Sequence, residues 1–506
     1  MHAQIDGAVI DRPTTPTFQL RTIAGLRVHL IGIGGSGMSG AAALLSDFGA
    51  VVSGSDLSRF DGLAALVQRG VRVWIGHAED QLGRDAELVV VSAAVPESNA
   101  ELAAARQRGV PVMKYAQLLG FLTSVREGVA IAGTHGKSTT TGMCVHLFQR
   151  AGLSPSFIIG ARSAQLGGSS GVGTGRHVIV ESCEFDRSFL HLRPLLAAIL
   201  NIESDHLDCY HDLDEIVEAF AEYAANVHPS GLLLCNADDE RAVQAASAAR
   251  CRVETFGLRE TGDWRATNLR SDSGRFAFEI ESRGARLLSA QLAIAGRHNV
   301  SNALAAVALA INAGAEPERV AEALATFRGV DRRLMWRGEW RGVTIVDDYA
   351  HHPTEIRVSI AAAKQRYAPR RTWVVFQPHQ ASRTQYFMEE FAASFGEADE
   401  VVMPDVYLAR DKTERSSTPG SLELASRIGR VGGKARYVPE LSQIAELLVN
   451  EVAEGDLVLT MGAGDVWKVA DELVERLCGA NRARSSPWAA DVVPSGGARS
   501  VSVSAA

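Results

Sequence analysis

The sequence predicts an α/β protein of three domains, each built on a mainly parallel sheet covered by helices. The chain has 506 residues, 46% of them hydrophobic, enough to bury several cores of ~100 to 200 residues each. From Leu26 onward, short β-branched runs alternate with Ala- and Leu-rich helical stretches, the rhythm of βαβ units. Twice such a run ends in a glycine-rich turn that opens a helix, the local geometry of phosphate-binding α/β domains.

Taken in order, residues 1–21 form an N-terminal extension that carries Asp6, Asp11 and two prolines and lacks the basic and apolar regions of a signal peptide. A first Rossmann-like domain is expected over residues 22–126, from RVHLIGI, MSGAAALLSDFG, AVVSGS, LAALVQRG and VRVWIG through AELVVVSAAV to the stretch ending at Arg126. A second, ATPase-like domain over 127–328 opens with EGVAIAG and the loop-to-helix segment Thr134 to Arg150, with HVIVES, PLLAAILNI and GLLLCN as buried strands. Between Asp263 and Ala293 the rhythm changes to alternation, as in RFAFEIES and RLLSAQLAI, which predicts an antiparallel extension. A helical stretch follows from Asn299 to Phe327. Gly329 to Gly342, rich in Arg and Gly, reads as a linker into a third, Rossmann-like domain spanning 329–479, with strands in GVTIVDDYA, RTWVVFQ, ADEVVMP and GDLVLTMGAGD. The Ser-, Ala-, Gly- and Pro-rich segment 480–506 reads as a disordered tail.

Composition excludes several function classes. Net charge is −8 and the signs are interspersed, so there is no electrostatic footprint for nucleic acid or an anionic membrane. Small molecules are the expected partners. No apolar run approaches the ~18 residues that a spanning helix requires. The six cysteines contain no Cys-x-x-Cys pair, which fits a reducing cytoplasm and argues against a zinc knuckle or redox pair. No signature of a particular oligomeric state is present.

Two motifs carry chemistry on their own residues. Gly32-Ile33-Gly34-Gly35-Ser36-Gly37 follows a strand and opens a helix, so its amides can hold a diphosphate. Asp56 ends the next expected strand, where a ribose-binding acid would sit, and this leaves NAD and other nucleotide diphosphates equally open. The plainer reading is a tight strand-to-helix turn. Gly133-Thr134-His135-Gly136-Lys137-Ser138-Thr139 is the more selective signal: a phosphate loop in which backbone N–H groups cradle phosphates, Lys137 neutralises β/γ charge and the Ser138 hydroxyl reaches Mg²⁺. Ile131 stands where the common form has its first glycine, and Gly133 takes over that duty.

With these loops in hand, further motifs occur in the order of one family: Glu181 in ESCEFD, His206 in NIESDHLD, Gly296 to Asn302 (GRHNVSN), Arg332-Arg333, and DDYAHHPTEI from Asp347 to Ile356. Over about residues 22 to 478 the chain resembles the Mur ligases, three-domain enzymes that add amino acids to UDP-muramic acid. The GxGGxGM start, SFLHLRP, DDYAHHPTE and FQPH are most similar to the alanine-adding member.

The resemblance implies an ATP-dependent ligation of L-alanine to UDP-N-acetylmuramic acid through an acyl phosphate, with Mg²⁺. Lys137, Glu181, His206 and Arg333 would serve catalysis, and Ser138, Glu181 and His206 would hold metal. Gly133 through Thr139 would hold the ATP phosphates, Asn299 and Asn302 its adenine side and Asp348 its ribose. The Asn pair, at i and i+3, would otherwise cap and pack a helix. Gly32, Gly34, Gly35, Ser36, Gly37 and Asp56 would hold the UDP-sugar, and His352, His379 and Arg383 would face substrate. Domain closure would exclude water from the acyl phosphate. This sequence departs from the family at Cys183 and Phe185, where Asp and Ser are usual, and at Gln380 and Ala381, where an Arg and an aromatic are expected. The span Leu207 to Cys235 also lacks the lysine that sister ligases carbamylate to help bind magnesium.

Overall fold

The computed structural model describes residues 23–60, 62–259, 262–409 and 420–478. The N-terminal extension and the tail from Ala480 lie outside these residues. The chain divides into two compact units, one comprising residues up to Trp264 with Ala305–Ala323, the other Arg265–Leu304 with the chain from Leu324 onward.

The first unit contains two sheets. Strands β1 (Arg27–Ile31), β2 (Val51–Asp56), β3 (Arg72–Ile75), β4 (Leu88–Val91) and β5 (Val112–Lys114) lie in the order β3-β2-β1-β4-β5, all parallel. β4, with sequence LVVV, is buried throughout, as expected of a parallel strand covered on both faces. The order reverses between β1 and β4, so the crevice at the carboxyl ends of the strands is the place for a ligand.

Next come β6 (Glu127–Ala132), β7 (Ser156–Ser163), β8 (Gly168–Gly171), β9 (His177–Ser182), β10 (Leu196–Ile199), β11 (Leu232–Asn236) and β12 (Arg252–Gly257), in the order β12-β11-β10-β6-β9-β7-β8. All these pairings are parallel except the antiparallel β7–β8 edge. One apolar core runs from Val28, Leu30 and Leu122 to Ile158, Phe189 and Phe220. Gly40, on helix Ser36–Asp47, permits part of this packing, because a Cβ there would stand 2.9 Å from Ser170 Cβ. This shared core explains why the first two sheets form a single compact unit.

The second unit holds β13 (Trp264–Asp272, whose first residue belongs to the first unit), β14 (Arg275–Ser282) and β15 (Ala285–Gln291), adjacent in that order. β14 and β15 pair antiparallel, as the alternation predicts. It also holds β16 (Met335–Trp340), β17 (Val343–Asp348), β18 (Arg371–Phe376), β19 (Glu400–Met403), β20 (Ala435–Tyr437) and β21 (Asp456–Met461), in the order β16-β17-β21-β18-β19-β20. Its core gathers Val343, Ile345, Trp373, Val375, Val402, Val458 and Leu473.

Two expectations need correction. The segment Gly329 to Gly342 is not merely a linker: Met335–Trp340 pairs antiparallel with β17, with a register shift between Trp336 and Gly338. The Arg- and Gly-rich composition hides this strand because its cross-strand partner comes from the next run. The helical stretch from Asn299 to Phe327 is two helices, His298–Asn312 and Pro317–Leu324. Gly314, at φ +97°, ends the first turn of chain between them, and Pro317 begins the second helix.

Candidate active site

At the first glycine turn, Ser55 at the end of β2 is the anchor: its carbonyl accepts from Gly32 N at 2.9 Å and Ile33 N at 3.0 Å. The Asp56 carboxylate accepts from Gly34 N at 2.8 Å. Gly34 cannot be replaced without displacement, since a Cβ would meet Phe60 at 2.6 Å and Asp56 Oδ2 at 2.8 Å. Gly35, with no side chain to cap it, precedes the helix that begins at Ser36, leaving the first-turn amides for an anion. Gly37 lies against the Tyr115 ring. The six residues expected at this site are thus brought together, with Asp56 bound to the loop itself.

The phosphate loop joins β6 to helix Lys137–Arg150, and Gly136 at its N-cap has φ +82°, a left-handed conformation that glycine adopts without steric cost. A clamp from the chain after β10 holds it. His135 N donates to Asn201 Oδ1 at 2.7 Å, Asn201 Nδ2 donates to His135 O at 3.1 Å, and Thr134 N donates to Asn201 O at 3.0 Å. Glu203 N donates to Thr134 Oγ1 at 2.9 Å.

Lys137 Nζ donates to Thr134 O at 3.0 Å and Glu184 Oε1 at 2.9 Å, and also to Gly133 O. Burial opposes its charge, but the Glu184 carboxylate, with Cys183 and Glu181 nearby, outweighs burial and holds the amine above its ordinary value. Ser138 Oγ donates to Glu181 Oε2 at 3.1 Å, and Gly160 N donates to Glu181 Oε1 at 2.6 Å. His206, in a left-handed conformation at φ +53°, puts Nε2 3.7 Å from Glu184 Oε1. Lys137, Ser138, Glu181 and His206 therefore share one neighbourhood, as expected, and Glu184 sits at its centre. Glu184 Oε2 is buried and has no hydrogen-bond partner among the described residues.

In the second unit, the Asp348 carboxylate accepts from Leu334 N and Ala350 N, each at 2.7 Å. Burial pushes its pKa up to about 6, against the opposing pull of Arg333. Arg333 Nη1 lies 3.7 Å from Glu355 Oε1, and its guanidinium is 5.3 Å from the Tyr349 ring centroid. Arg332 instead serves the backbone and Asp347, donating to Asp347 Oδ2 at 2.9 Å and Gly462 O at 2.7 Å. His298 is half-buried, and its pKa is held down to about 4, first by desolvation and then by Arg333.

Asn302 Nδ2 donates to Asn299 Oδ1 at 3.0 Å, and Asn299 Nδ2 to Ala295 O at 2.6 Å, so the pair is linked as its spacing predicts. His352 caps helix Pro353–Tyr367, accepting from Thr354 N at 3.3 Å. His379 stacks on Tyr407 with centroids 5.7 Å apart. Arg383 is buried on helix Ala381–Tyr386.

Sequence reasoning missed Glu184 and Asn201. Both lie within the ESCEFD and NIESDHLD motifs, but nothing in either string says which acid meets Lys137 or that the leading Asn turns back to the phosphate loop. Those facts arise from β9 and β10 flanking β6 in the sheet.

Two glycine turns, each feeding a helix from a parallel strand, with a lysine, a hydroxyl and two acids at the second, define an α/β nucleotide-binding enzyme equipped for phosphoryl transfer. Comparison with known proteins narrows this. The chain matches "Mur ligase family, catalytic domain" over residues 27–126, "Mur ligase middle domain" over 131–310 and "Mur ligase, glutamate ligase domain" over 332–464. It is 42% identical over 453 residues to a UDP-N-acetylmuramate–L-alanine ligase of Salinibacter ruber, covering 89% of this chain and 95% of that one. Against the same-named ligase of Clostridium novyi it is 39% identical over 450 residues, covering 89% and 97%. Among solved structures, the UDP-N-acetylmuramate–alanine ligase of Thermotoga maritima superposes with a TM-score of 0.74 at 30% identity, covering 89% of this chain and 99% of that one. A murein peptide ligase from Psychrobacter arcticus gives 0.65 at 25% identity, covering 90% and 99%. The chain belongs to the Mur ligase family and is an ATP-dependent ligase.

Proposed function

We propose that this enzyme joins L-alanine to UDP-N-acetylmuramic acid, in the cytoplasm, as a step of peptidoglycan precursor synthesis. The observation that carries the reading is the Lys137, Ser138, Glu181 and Glu184 cluster on a phosphate loop, in a chain about 40% identical to ligases bearing that name. Among the described residues no helix is long and apolar enough to cross a membrane, and Cys144, Cys183, Cys209, Cys235 and Cys251 are free thiols, in keeping with that compartment.

A carboxylate and an amine do not condense in water, so the lactyl carboxylate must first acquire a leaving group. ATP supplies it as an acyl phosphate; the alanine amine then attacks and phosphate departs. Lys137 is assigned to neutralise phosphate charge as it shifts, a role supported by its raised pKa, which keeps it cationic. Arg333 is the second such cation, and Asn299, Asn302 and Asp348 are assigned to the adenosine. His352, His379 and Arg383 are assigned to the muramyl and alanine side. We assign these roles to three domains spanning residues 22–126, 127–328 and 329–479.

The donor set at the phosphate loop fits Mg²⁺. Ser138 Oγ and Glu181 Oε2 are hard oxygens 3.1 Å apart, and the buried Glu184 Oε2 lacks a partner among the described residues. These three would hold the ion, with the His206 imidazole beside Glu184. When bound, the ion supplies charge neutralisation on the transferred phosphoryl group.

Phosphate release by the whole chain should require ATP together with UDP-N-acetylmuramic acid and L-alanine. Release supported by a free tripeptide in place of alanine would reassign the enzyme to peptide recycling, and release without any amine would remove the ligase reading.

A further inference from the structure

A lysine ammonium has three N–H donors, and the chain itself engages all three of those on Lys137. They go to the carbonyls of Gly133 and Thr134 in the phosphate loop and to Glu184 Oε1, the last at 2.9 Å. A phosphate oxygen can therefore bond this lysine only when one of these contacts breaks. The two carbonyls belong to main chain that Asn201 clamps through Thr134 N and His135 N and O. The contact free to break is the one to Glu184.

The surroundings of Glu184 fix its main chain and leave its carboxylate able to turn. Its carbonyl accepts from Arg187 N at 3.0 Å and from the hydroxyl of the buried Tyr210 at 2.6 Å. Among the described residues, Lys137 is the hydrogen-bond donor to Oε1, Oε2 has none, and His206 Nε2 lies 3.7 Å from Oε1. Glu181 differs: Gly160 N holds its Oε1 at 2.6 Å and Ser138 Oγ its Oε2 at 3.1 Å. Two carboxylates border one loop, the first anchored through both oxygens and the second tied through a single oxygen to the lysine.

This arrangement opposes a nucleotide that arrives without a cation. The Glu184 side chain is 3% exposed, so its charge is weakly screened. A triphosphate that takes Lys137 would leave that carboxylate buried and uncompensated. Once released, however, Glu184 has hard oxygens to offer a divalent cation. Exchange of the lysine and capture of the cation then favour each other, a coupling between two ligands that meet at one side chain.

We propose that Glu184 is an autoinhibitory placeholder on Lys137, displaced readily by ATP only when a divalent cation takes up the released carboxylate, so that the loop selects Mg·ATP over metal-free ATP. The inference rests on the reading of this loop as the ATP site and adds to it a step of selection.

Calorimetry of ATP on the full chain, in chelator and then in Mg²⁺, tests it. In the wild type, Mg²⁺ should tighten ATP binding by about tenfold or more. Glu184→Gln keeps the shape and removes the charge, so it should bind metal-free ATP about fivefold tighter than the wild type, while the gain from Mg²⁺ shrinks to about twofold. Glu181→Gln, at the anchored acid, should leave the metal-free affinity within about twofold, which separates displacement of a partner from relief of charge repulsion alone. Unchanged binding of the UDP-sugar identifies the variants that have folded. Should one fail to fold, a crystal structure of the wild type with a non-hydrolysable ATP analogue and Mg²⁺ carries the test: Lys137 Nζ should touch a phosphate oxygen and stand beyond hydrogen-bond distance of Glu184. If Glu184→Gln binds metal-free ATP no tighter than the wild type, if Glu181→Gln gains as much, or if the Lys137–Glu184 bond survives in the complex, the placeholder is overturned while the ATP site stands. If ATP binds neither with nor without Mg²⁺, both readings fall.

Discussion

At the scale of single residues, the phosphate loop concentrates opposed charges in a small volume. Lys137 bonds Glu184, and Ser138 bonds Glu181, so adding a triphosphate to two carboxylates demands cationic compensation. Lys137→Ala is expected to lower turnover by about a thousandfold or more, while calorimetry shows UDP-N-acetylmuramic acid binding within about twofold of the wild type. Loss of UDP-sugar binding instead would show that the two nucleotide loops had been assigned to the wrong ligands.

Asp348 gives a prediction with a definite sign. Its native pKa of about 6 stands above the ordinary 3.8, so between those pH values the folded chain keeps a proton that the unfolded chain has released. Folding stability from this group is full below about pH 4 and declines as pH rises through about 6. Asp348→Asn cannot ionise, so the folding stability of the wild type relative to this variant should fall between pH 4 and 6.5 by an amount on the order of 2 kcal/mol, read as a falling difference in melting temperature. A difference that stays flat with pH would mean the carboxyl is not raised.

At the scale of elements, the junction between β6 and helix Lys137–Arg150 depends on one backbone conformation. Gly136 is left-handed at φ +82°, and Gly133 at φ +142° sits so close to the next strand that a Cβ would stand 2.9 Å from Leu200 Cβ. Gly136→Ala should cost about 1 kcal/mol in stability, and a larger share of ATP affinity, because the loop amides point at phosphate only in this geometry. A variant that loses stability but keeps its KM for ATP would show that the loop tolerates rearrangement. Asn201 is the matching contact from the chain after β10. Its side chain spans His135 N and O, so Asn201→Ala should raise KM for ATP by about tenfold, leaving the KM for the UDP-sugar unchanged, as one lost pair of partly buried hydrogen bonds would.

At the scale of the whole molecule, the metal arrangement bears on what the enzyme needs from solution. No lysine occurs from Leu207 to Cys235, the span in which the sister ligases carry one that becomes a carbamate. The helix in this span, Leu213–Ala225, instead presents Ile216, Val217, Phe220 and Tyr223 to the core. Oxygen donors at the phosphate loop come from Ser138, Glu181 and Glu184. Turnover in degassed buffer free of carbon dioxide should therefore match turnover with bicarbonate, and small carboxylic acids should not rescue His206→Ala. A reversible loss restored by bicarbonate would mean that a carbamylated lysine reaches the site from another segment.

What the sequence alone determined is what depends on neighbours along the chain. The alternating β-branched and helical runs marked most strands, and glycines at fixed spacing, joined at the second by Lys137 and Ser138, marked both strand-to-helix turns, since a tight turn and a helix start are local objects. The motif order marked the family for the same reason. Tertiary structure decided what depends on which strands become neighbours. β9 and β10 flank β6, and only that brings Glu184 to Lys137 and Asn201 to His135. The pairing of Met335–Trp340 with β17 turned an expected linker into an edge strand, because a strand is stabilised by its partner across the ladder rather than by its own composition. The hydrogen bonds from Glu101 to Ser55 and from Ser55 to His77 join residues 101, 55 and 77, a set with no common motif, since hydrogen-bond satisfaction in a buried space is settled by packing, where every donor must find its acceptor in three dimensions.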